Sequence, residues 1–379
     1  MSALEIAFWC LVAFVGYTYV FYPLALAVCA CVRRPTRPAE ARAPASVSVI
    51  VAAFNEDRIV ERRLKELTGL VATTGVPGEV ILVSDGSTDR TAEIGRGFAD
   101  AGVRVLELPR GGKAAALTAG AAAARHEVLV FADARQRWAP DALVRLLENF
   151  ADPTVGAASG DLVVESAPGV MAGVGAYWRY EKLLRRLESR VGSTVGVSGS
   201  ISAVRRDLFR PIPPGTLLDD VYWPLRVAMQ GYRVVHDERA HAYDRLPDEV
   251  RNEFRRKVRT LSGNYQLLAR LTAALVPWRN PVWLQFLSHK VFRLLVPWAL
   301  IALLAVSAVQ PGAFYQFAFC AQAVFYGFAV LGLRRAIAAR IRLASAAASF
   351  VVLNAAAWLA WWTWATGRAS RSWTKVAYS

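Results

Sequence analysis

Cysteine is scarce in this sequence. Among 379 residues there are 4 Cys, at positions 10, 29, 31 and 320, and each lies within a long apolar stretch. That placement supports neither a disulfide framework nor a zinc site. The 4 His have no metal-ligand spacing either, and we interpret them as surface or core residues: His126, His236, His241 and His289.

Acidic residues are also few, with 30 Asp and Glu against 45 Lys and Arg. An excess of basic residues is typical of nucleic-acid-binding proteins. Here the basic residues form no separate domain and no nucleic-acid-binding motif, so we expect no nucleic-acid partner. They flank apolar stretches, where they would meet anionic lipid. An ATPase is also disfavoured, because Gly111-Gly112-Lys113 lacks the Walker A spacing and the Ser or Thr that follows its lysine.

Long apolar stretches are what the sequence has in abundance. Hydrophobic residues make up 55% of the chain, and the mean hydropathy is +0.29. Four stretches stand out: 5–32, 294–310, 313–333 and 345–366. The first is too long for a signal-peptide core and has no basic residue before it, so it predicts an uncleaved transmembrane anchor. We therefore expect a multi-pass membrane protein with helices at both ends of the chain.

Arginines next to the apolar stretches predict the orientation. Arg33, Arg34, Arg37 and Arg42 follow the first stretch, which places 33–290 in the cytoplasm by the positive-inside rule. Four more lie between the last two stretches, at positions 334, 335, 340 and 342. The basic tail 367–379 would then lie outside if all four stretches cross the membrane. Either the tail breaks the rule or one stretch is re-entrant or interfacial, and the sequence leaves both open.

Strand and helix patterns alternate over the first part of the cytoplasmic region. Strand patterns at 46–54, 79–89, 103–109 and 127–133 each lead into polar residues, and helix-period segments separate them. This alternation predicts an α/β domain with a mostly parallel, doubly wound sheet. Ligands bind such sheets at the carboxyl ends of the strands. Asn55, Asp85 and Asp133 should therefore share one rim.

The following region is less regular. Residues 176–190 predict a helix in which Glu181 pairs with Arg185 and the other charges form a solvated face. Residues 251–290 predict amphipathic helices in the membrane interface. The expected division of the chain is an anchor, a linker, a catalytic domain, interface helices, transmembrane helices and a tail, at 1–32, 33–45, 46–250, 251–290, 291–366 and 367–379.

Three short motifs carry chemistry, and two of them have a plainer alternative. Asp85-Gly86-Ser87 at a strand end suits a base or ribose, or simply a helix cap. Gly111-Gly112-Lys113 opens a helix and would favour an anion such as a diphosphate through backbone N–H groups and the lysine. In Asp219-Asp220 the two acids repel each other, so one could have a raised pKa suited to a general base, or Asp219 could cap a helix.

The stretch "VFADARQ" (130–136) delivers Asp133 to a strand end and has Arg135 where a second acid would complete an Asp-x-Asp pair. One carboxylate, together with diphosphate oxygens and water, can still hold a hard divalent ion. Arg135 then has two interpretations. Its guanidinium group binds phosphate oxygens directly, or the side chain points away from the site and packs against the protein.

Taken in order, these motifs resemble the family 2 inverting glycosyltransferases of the GT-A fold. The series is "SVIVAAFNE", "VSDGSTD", "GGKAAALTAG", "FADA", "SGSISAVRRDLF", "LDD" and "EFRRKVRTLSGN". It is most similar to the membrane-bound branch that includes cellulose, chitin and hyaluronan synthases and bacterial exopolysaccharide enzymes. The resemblance covers about 46–290.

The resemblance implies a role for each matching residue. Asn55, Glu56 and Asp85 would hold the uracil and ribose of a UDP-sugar, with Lys113 and Arg259 near its diphosphate. Asp133 would bind the divalent cation, Mg²⁺ or Mn²⁺. Asp220 would be the general base that deprotonates the acceptor hydroxyl. The acceptor region would comprise Asp219, Ser198, Gly199 and Ser200.

The implied function is transfer of a sugar, with inversion, from a nucleotide-diphosphate sugar to a lipid-linked or saccharide acceptor at the inner membrane, beside other polysaccharide-assembly proteins. The alternatives are a processive synthase that exports its polymer and a catalytically silent scaffold. Arg256 and Thr260 replace the Gln and Trp of the Gln-x-x-Arg-Trp motif of polymer synthases, which disfavours processivity. The intact acids Asp85, Asp133 and Asp220 disfavour the scaffold.

Overall fold

The structure, a computed structural model of the full chain, describes residues 1–33, 44–165, 172–245, 250–334, 337 and 341–368. Most of the predicted linker and tail lies outside these ranges, as do Arg34, Arg37, Arg42, Arg335 and Arg340.

A single eight-stranded mixed sheet forms the centre of the domain, in the order β3-β2-β1-β4-β7-β6-β8-β5. β1 pairs in parallel with β2 and β4, and β2 with β3, whereas β7 runs antiparallel to both β4 and β6. The strands are β1 Val47–Ala53, β2 Gly78–Asp85, β3 Val103–Leu108, β4 Val128–Asp133, β5 Arg137–Trp138, β6 Val155–Glu165, β7 Ile201–Arg205 and β8 Arg233–Arg245.

The parallel half creates the expected rim. Residues along β1 and β4 lie side by side up to the pair Ala52 and Asp133, and Ala53 pairs with Ser84, next to the last residue of β2. Parallel strands end at one edge, so the residues after β1, at the end of β2 and at the end of β4 meet there. β1 is buried on both faces, which explains why all of its residues except Ser48 are apolar.

Two apolar layers cover the two faces of the sheet. Ile50, Phe131 and Trp223 belong to the layer under α5 and α8, and Val49, Leu64 and Leu143 to the layer under α3 and α6. The helices are α1 Ala3–Gly16, α2 Tyr22–Val32, α3 Asp57–Thr73, α4 Thr91–Arg96, α5 Lys113–Ala123, α6 Ala142–Glu148, α7 Ala172–Val191, α8 Asp219–Ala228, α9 Val250–Arg270, α10 Trp283–Phe286, α11 Phe292–Val309, α12 Ala313–Gly332 and α13 Arg342–Ala365.

Within the described ranges, four helical stretches are long and apolar enough to cross a membrane: Ala3–Val32, Trp283–Val309, Ala313–Gly332 and Leu343–Ala365. One π-helical turn, Tyr17–Phe21, joins α1 to α2, and another, Leu287–Val291, joins α10 to α11. The second stretch begins at Trp283, so the boundary predicted between 290 and 291 falls inside it.

The solvated face predicted for the helix at 176–190 is wrong for Glu188, and Glu181, predicted to pair with Arg185, bonds instead to His289 and Arg293. Glu181 and Glu188 are buried, and their carboxylates meet His289 at 3.0 and 2.9 Å. Arg293 also bonds to Glu181, and the Tyr22 hydroxyl donates to Glu188 at 2.7 Å. Sequence periodicity could not show that the glutamate side of α7 would be covered by residues of two apolar stretches, Ala3–Val32 and Trp283–Val309.

Candidate active site

The loops after β1 and β2 are bonded to each other. Asn55 has a φ of +54°, in the left-handed region that Asn tolerates better than most residues. Its side-chain oxygen accepts the backbone N–H of Thr88 at 2.8 Å, and its own N–H donates to the Ser87 hydroxyl at 3.1 Å. The N–H of Glu56 donates to Thr91 Oγ1 at 2.8 Å. These bonds hold the predicted donor residues Asn55 and Glu56 beside the end of β2.

Asp85 is fully buried, and the loop before α5 surrounds its carboxylate. Gly111 N–H and Gly112 N–H donate to it at 2.7 and 3.0 Å, and Arg110 Nη1 lies 2.5 Å away. The expectation that these two N–H groups face a diphosphate is therefore wrong, because Asp85 already accepts both. Contact of Asp85 with a nucleotide stays a prediction; in the structure it positions the start of α5.

Lys113 is the centre of the charged cluster that this turn creates. Its Nζ lies 2.7 Å from Asp133 Oδ1, 3.3 Å from the Gly199 carbonyl oxygen and 3.8 Å from Asp219 Oδ2. Burial alone would lower the pKa of Lys113, but the charges of Asp133 and Asp219 outweigh it and raise that pKa above its ordinary value. Lys113 is thus a permanent cation between acids from two distant parts of the chain.

Asp219 and Asp220 begin α8, where the helix dipole favours negative charge. Asp219 is buried, and its Oδ2 makes no hydrogen bond within the described chain. Burial, opposed by Lys113 and reinforced by Asp220, raises the pKa of Asp219 from 3.8 to about 6. The sequence predicted a raised pKa for one acid of this pair, and Asp219 has one.

Transfer activity should fall as the pH decreases through about 6, because a proton on Asp219 removes a negative charge beside Lys113. In Asp219→Asn this step should be absent from the pH profile of kcat/KM.

The same raised pKa means that the folded protein holds this proton more tightly than the unfolded chain does. Ionising Asp219 therefore costs stability as the pH rises between 3.8 and about 6. An unchanged acid limb in the variant would contradict this assignment.

A cleft of about 180 Å³ connects these groups to α9. Its wall includes Lys113, Asp219, Asp220, Arg259 and Thr260. Arg259 Nε is buried and has no hydrogen-bond partner within the described chain, which suits a site for an anion that is not part of the protein.

The Ser198–Ser200 loop lies on the other side of the lysine. A side-chain carbon added at Gly199 would be 3.2 Å from Lys113 Nζ and 3.7 Å from Asp220 Cβ. Ser198 and Ser200 are buried and bond to each other at 2.7 Å. The structure therefore brings Gly199 to the charged cluster, whereas both serine hydroxyls are turned into the protein.

Arg135 pairs with Asp244 in β8, with its Nη2 3.3 Å from Asp244 Oδ2. Gln136 Nε2 donates to the same oxygen at 2.9 Å. This contact agrees with the packing alternative, and a diphosphate role for Arg135 stays a prediction.

Among the described residues, no group of three or more His, Cys, Asp or Glu side chains is arranged to hold a metal ion. The predicted ligand Asp133 is about one-fifth exposed and bonds to Lys113. This donor set fits a divalent ion only if other oxygens, such as those of a diphosphate, complete its coordination.

Sequence reasoning missed Arg110, which contacts the Asp85 carboxylate and whose guanidinium carbon lies 3.4 Å from the centre of the Phe54 ring. Its position directly before Gly111-Gly112 was the sequence signal that could have marked it as part of the site.

Comparison with known proteins agrees with this fold. The mannosyltransferase PcManGT of Pyrobaculum calidifontis, solved with GDP-Man and Mn²⁺, superposes with a TM-score of 0.65 over 93% of this chain and 98% of its own, at 24% identity. The fold is therefore that of the GT-A glycosyltransferases. Residues 48–212 match the model of glycosyl transferase family 2, so the chain carries a family 2 glycosyltransferase domain.

Curated relatives agree with that assignment. The chain is similar to the poly-beta-1,6-N-acetyl-D-glucosamine synthase of Staphylococcus epidermidis, at 24% identity over 233 residues, and to that of Staphylococcus aureus, at 22%. The match covers 59% of this chain and 56% of each relative, so the chain spans about half the length of the curated relatives it matches.

Proposed function

We propose that the protein is a membrane-bound glycosyltransferase that moves a sugar, with inversion, from a nucleotide-diphosphate sugar to a lipid-linked or saccharide acceptor. The observation that carries this proposal is the meeting of Lys113, Asp220 and Arg259 in one cleft, with Asp133 bonded to Lys113. Cations and acids from four elements lie together at the rim where such sheets bind ligands.

In this proposal Asn55 and Glu56 hold the nucleoside, a uridine by the family resemblance. Lys113 and Arg259 neutralise the diphosphate, which is the leaving group. Asp220 accepts the proton of the acceptor hydroxyl as that oxygen attacks the anomeric carbon from the side opposite to the leaving diphosphate. Positive groups placed in advance around a developing negative charge stabilise a transition state without reorganisation.

A divalent ion, when bound, would add to this stabilisation of the diphosphate. Asp133 would be its protein ligand, with Mg²⁺ or Mn²⁺ as the ion. The Pyrobaculum calidifontis enzyme solved with Mn²⁺ supports use of such an ion. With one carboxylate, the chain's own contribution to metal affinity should be weak.

Replacing Arg135 with aspartate should lower the metal concentration for half-maximal activity several-fold, since it restores a second acid two residues after Asp133. Titration of activity with Mn²⁺ measures this. Arg137→Asp is the matched control, because Arg137 is exposed and pairs only with the surface residues Glu165 and Tyr243 in the described chain. Equal metal dependence in wild type and Arg135→Asp would exclude position 135 from the metal site.

The catalytic domain would lie in the cytoplasm at the inner membrane, held there by the four apolar helices. Arg33 at the end of the first of them supports this orientation. The synthases among the relatives favour a second candidate, processive polymer synthesis. Thr260 disfavours it, and the length of the product made by the purified protein decides between single addition and polymerisation.

The proposed function is tested by screening UDP- and GDP-sugars for acceptor-dependent release of UDP or GDP, with and without Mg²⁺ or Mn²⁺. At least one donor should give release that depends on added acceptor. No release from any donor, by a folded protein in lipid, would contradict the proposal.

A further inference from the structure

The backbone carbonyl oxygen of Asp220 cannot take the usual hydrogen bond of an α-helix. In a helix this oxygen accepts the N–H group four residues later. The residue four after Asp220 is Pro224, which lies inside α8 and has no N–H group. The N–H of Val197, in the 192–200 loop between α7 and β7, donates to this oxygen instead, at 2.9 Å. A second segment of the chain therefore holds the backbone of the proposed base.

The same loop follows Asp220 from its backbone to its carboxylate. A side-chain carbon added at Gly196 would lie 3.2 Å from the Asp220 carbonyl oxygen. One added at Gly199 would lie 3.7 Å from Asp220 Cβ and 3.9 Å from its Oδ2. Because the loop is this close, a shift of the loop would also shift the start of α8 and the carboxylate that it carries.

Thr194 anchors the loop to the protein interior. It is buried, and its N–H donates to the Val234 carbonyl oxygen in β8 at 2.9 Å. Its hydroxyl lies 3.2 Å from Glu188 Oε2 and 3.3 Å from the Gly196 carbonyl oxygen, and it can donate its one proton to either. Thr194 therefore fixes the loop three residues before the N–H group that holds α8.

Glu188 connects this anchor to the membrane-spanning helices. Its buried carboxylate accepts the Tyr22 hydroxyl at 2.7 Å and lies 2.9 Å from His289 Nδ1. Tyr22 belongs to the first of the four apolar helical stretches, and His289 belongs to the second. Burial would raise the pKa of Glu188, but its contact with His289 outweighs burial and holds that pKa below 4.5. Glu188 is thus an anion near pH 7, which makes it a strong acceptor for the Thr194 hydroxyl.

We propose that Thr194 is a positioning residue for Asp220. Its hydroxyl, held by Glu188, sets the 192–200 loop so that the Val197 N–H meets the Asp220 carbonyl oxygen. A general base must stay within hydrogen-bond reach of the proton that it takes, and small displacements of reacting groups cost large factors in rate. The inference rests on the proposed function, since it needs Asp220 to act as the base. It also connects the second apolar stretch to the base through a series of contacts and a short piece of loop: His289, Glu188, Thr194, Val197 and Asp220.

The test measures acceptor-dependent transfer by the full chain in lipid nanodiscs. The probes are UDP-glucose, UDP-N-acetylglucosamine and GDP-mannose as donors, with octyl β-glucoside and undecaprenyl phosphate as acceptors. Thr194→Val keeps the shape of the side chain and removes its hydroxyl, whereas Thr194→Ser keeps the hydroxyl. Thr118→Val is the matched control, because the Thr118 hydroxyl also bonds to the backbone, at the Ile212 N–H (3.0 Å), outside this loop. The rate constant kcat, donor KM and the unfolding temperature are measured for each protein.

Thr194→Val should lower kcat on the order of tenfold, since a loop without this anchor lets the base move by a fraction of an ångström. Donor KM should stay within about twofold of wild type, because the loss concerns the step in which the base acts. Thr194→Ser should recover most of the rate, and Thr118→Val should match wild type. Thr194→Val combined with Asp220→Asn should be no slower than Asp220→Asn alone, since no base is left to position.

Gly196→Ala tests the same contact from the other side of the loop, and it replaces Thr194→Val if that variant does not fold. Its added methyl group would meet the Asp220 carbonyl oxygen at 3.2 Å and displace it. This variant should also lose kcat while donor KM is unchanged.

Wild-type kcat in folded Thr194→Val, or in Gly196→Ala where it is the replacement, would overturn the positioning role. Equal losses in Thr194→Val and Thr194→Ser would overturn it too, because the hydroxyl would then not matter. So would a loss in the double variant that is the product of the two single losses, since independent effects on rate multiply. Wild-type transfer by Asp220→Asn would refute the base and its positioning together, whereas no transfer by wild type from any donor would refute the proposed function itself.

Discussion

Asp220→Asn should reduce the rate of sugar transfer by about 10²–10⁴-fold, the range expected when a general base is removed. An amide keeps the size and hydrogen-bonding capacity of the side chain but cannot take the proton from an acceptor hydroxyl. Donor KM should change little, because the proposed mechanism has Asp220 contact the acceptor and not the donor. Initial rates of nucleoside diphosphate release, with and without acceptor, measure both effects.

The control for this substitution is Asp207→Asn. Asp207 is an exposed aspartate in the short helical turn Arg206–Leu208, outside the cleft wall. Its variant should match wild type. Acceptor-dependent release that survives in Asp220→Asn would show that another group takes the proton, and Asp219 would be the first to examine.

Glu181→Ala should lower the free energy of unfolding by about 3–5 kcal/mol, because it leaves buried cationic partners without their counter-charge. Burial would raise the pKa of Glu181, but the charges of Arg293 and His289 outweigh it and hold the pKa well below 4.5. The stabilisation is thus present above pH 4.5 and is lost as the pH falls below it. Thermal unfolding in detergent, followed by circular dichroism, measures the change.

Glu165→Ala is the matched control, since Glu165 is 43% exposed and its pair with Arg137 is solvated. Exposed pairs contribute about 0–1 kcal/mol. Similar unfolding temperatures for the two variants would contradict a stabilising role for the contacts between α7 and the helical stretch from Trp283. A large loss in Glu181→Ala alone agrees with it.

The parallel half of the sheet could be predicted from sequence because each strand carries its own evidence. Val128–Asp133 is apolar until its last residue, and a parallel sheet must bury such strands while leaving their ends at one rim. The positions of Asn55, Asp85 and Asp133 followed from that rule. The left-handed backbone at Asn55 and the bonds that join it to Thr88 did not, because they depend on two loops meeting.

Contacts between distant segments account for what could not be predicted. Lys113 and Asp133 are 20 residues apart, and their ion pair depends on how α5 starts beside the end of β4. Glu181 and His289 are 108 residues apart and meet because a helix of the catalytic domain packs against apolar helices. A helical period alone predicts that charged residues face solvent. The prediction fails here because another helix covers Glu181 and supplies charged or polar partners for it.

The stereochemistry of the product tests the central claim most directly. A single displacement assisted by Asp220, with no covalent sugar–enzyme intermediate, must invert the configuration at the anomeric carbon. ¹H NMR of the product formed from an α-linked nucleotide sugar should therefore show a β-linkage in the first product observed. An α-linkage would contradict the account, because a retained configuration requires a different mechanism and a different role for Asp220.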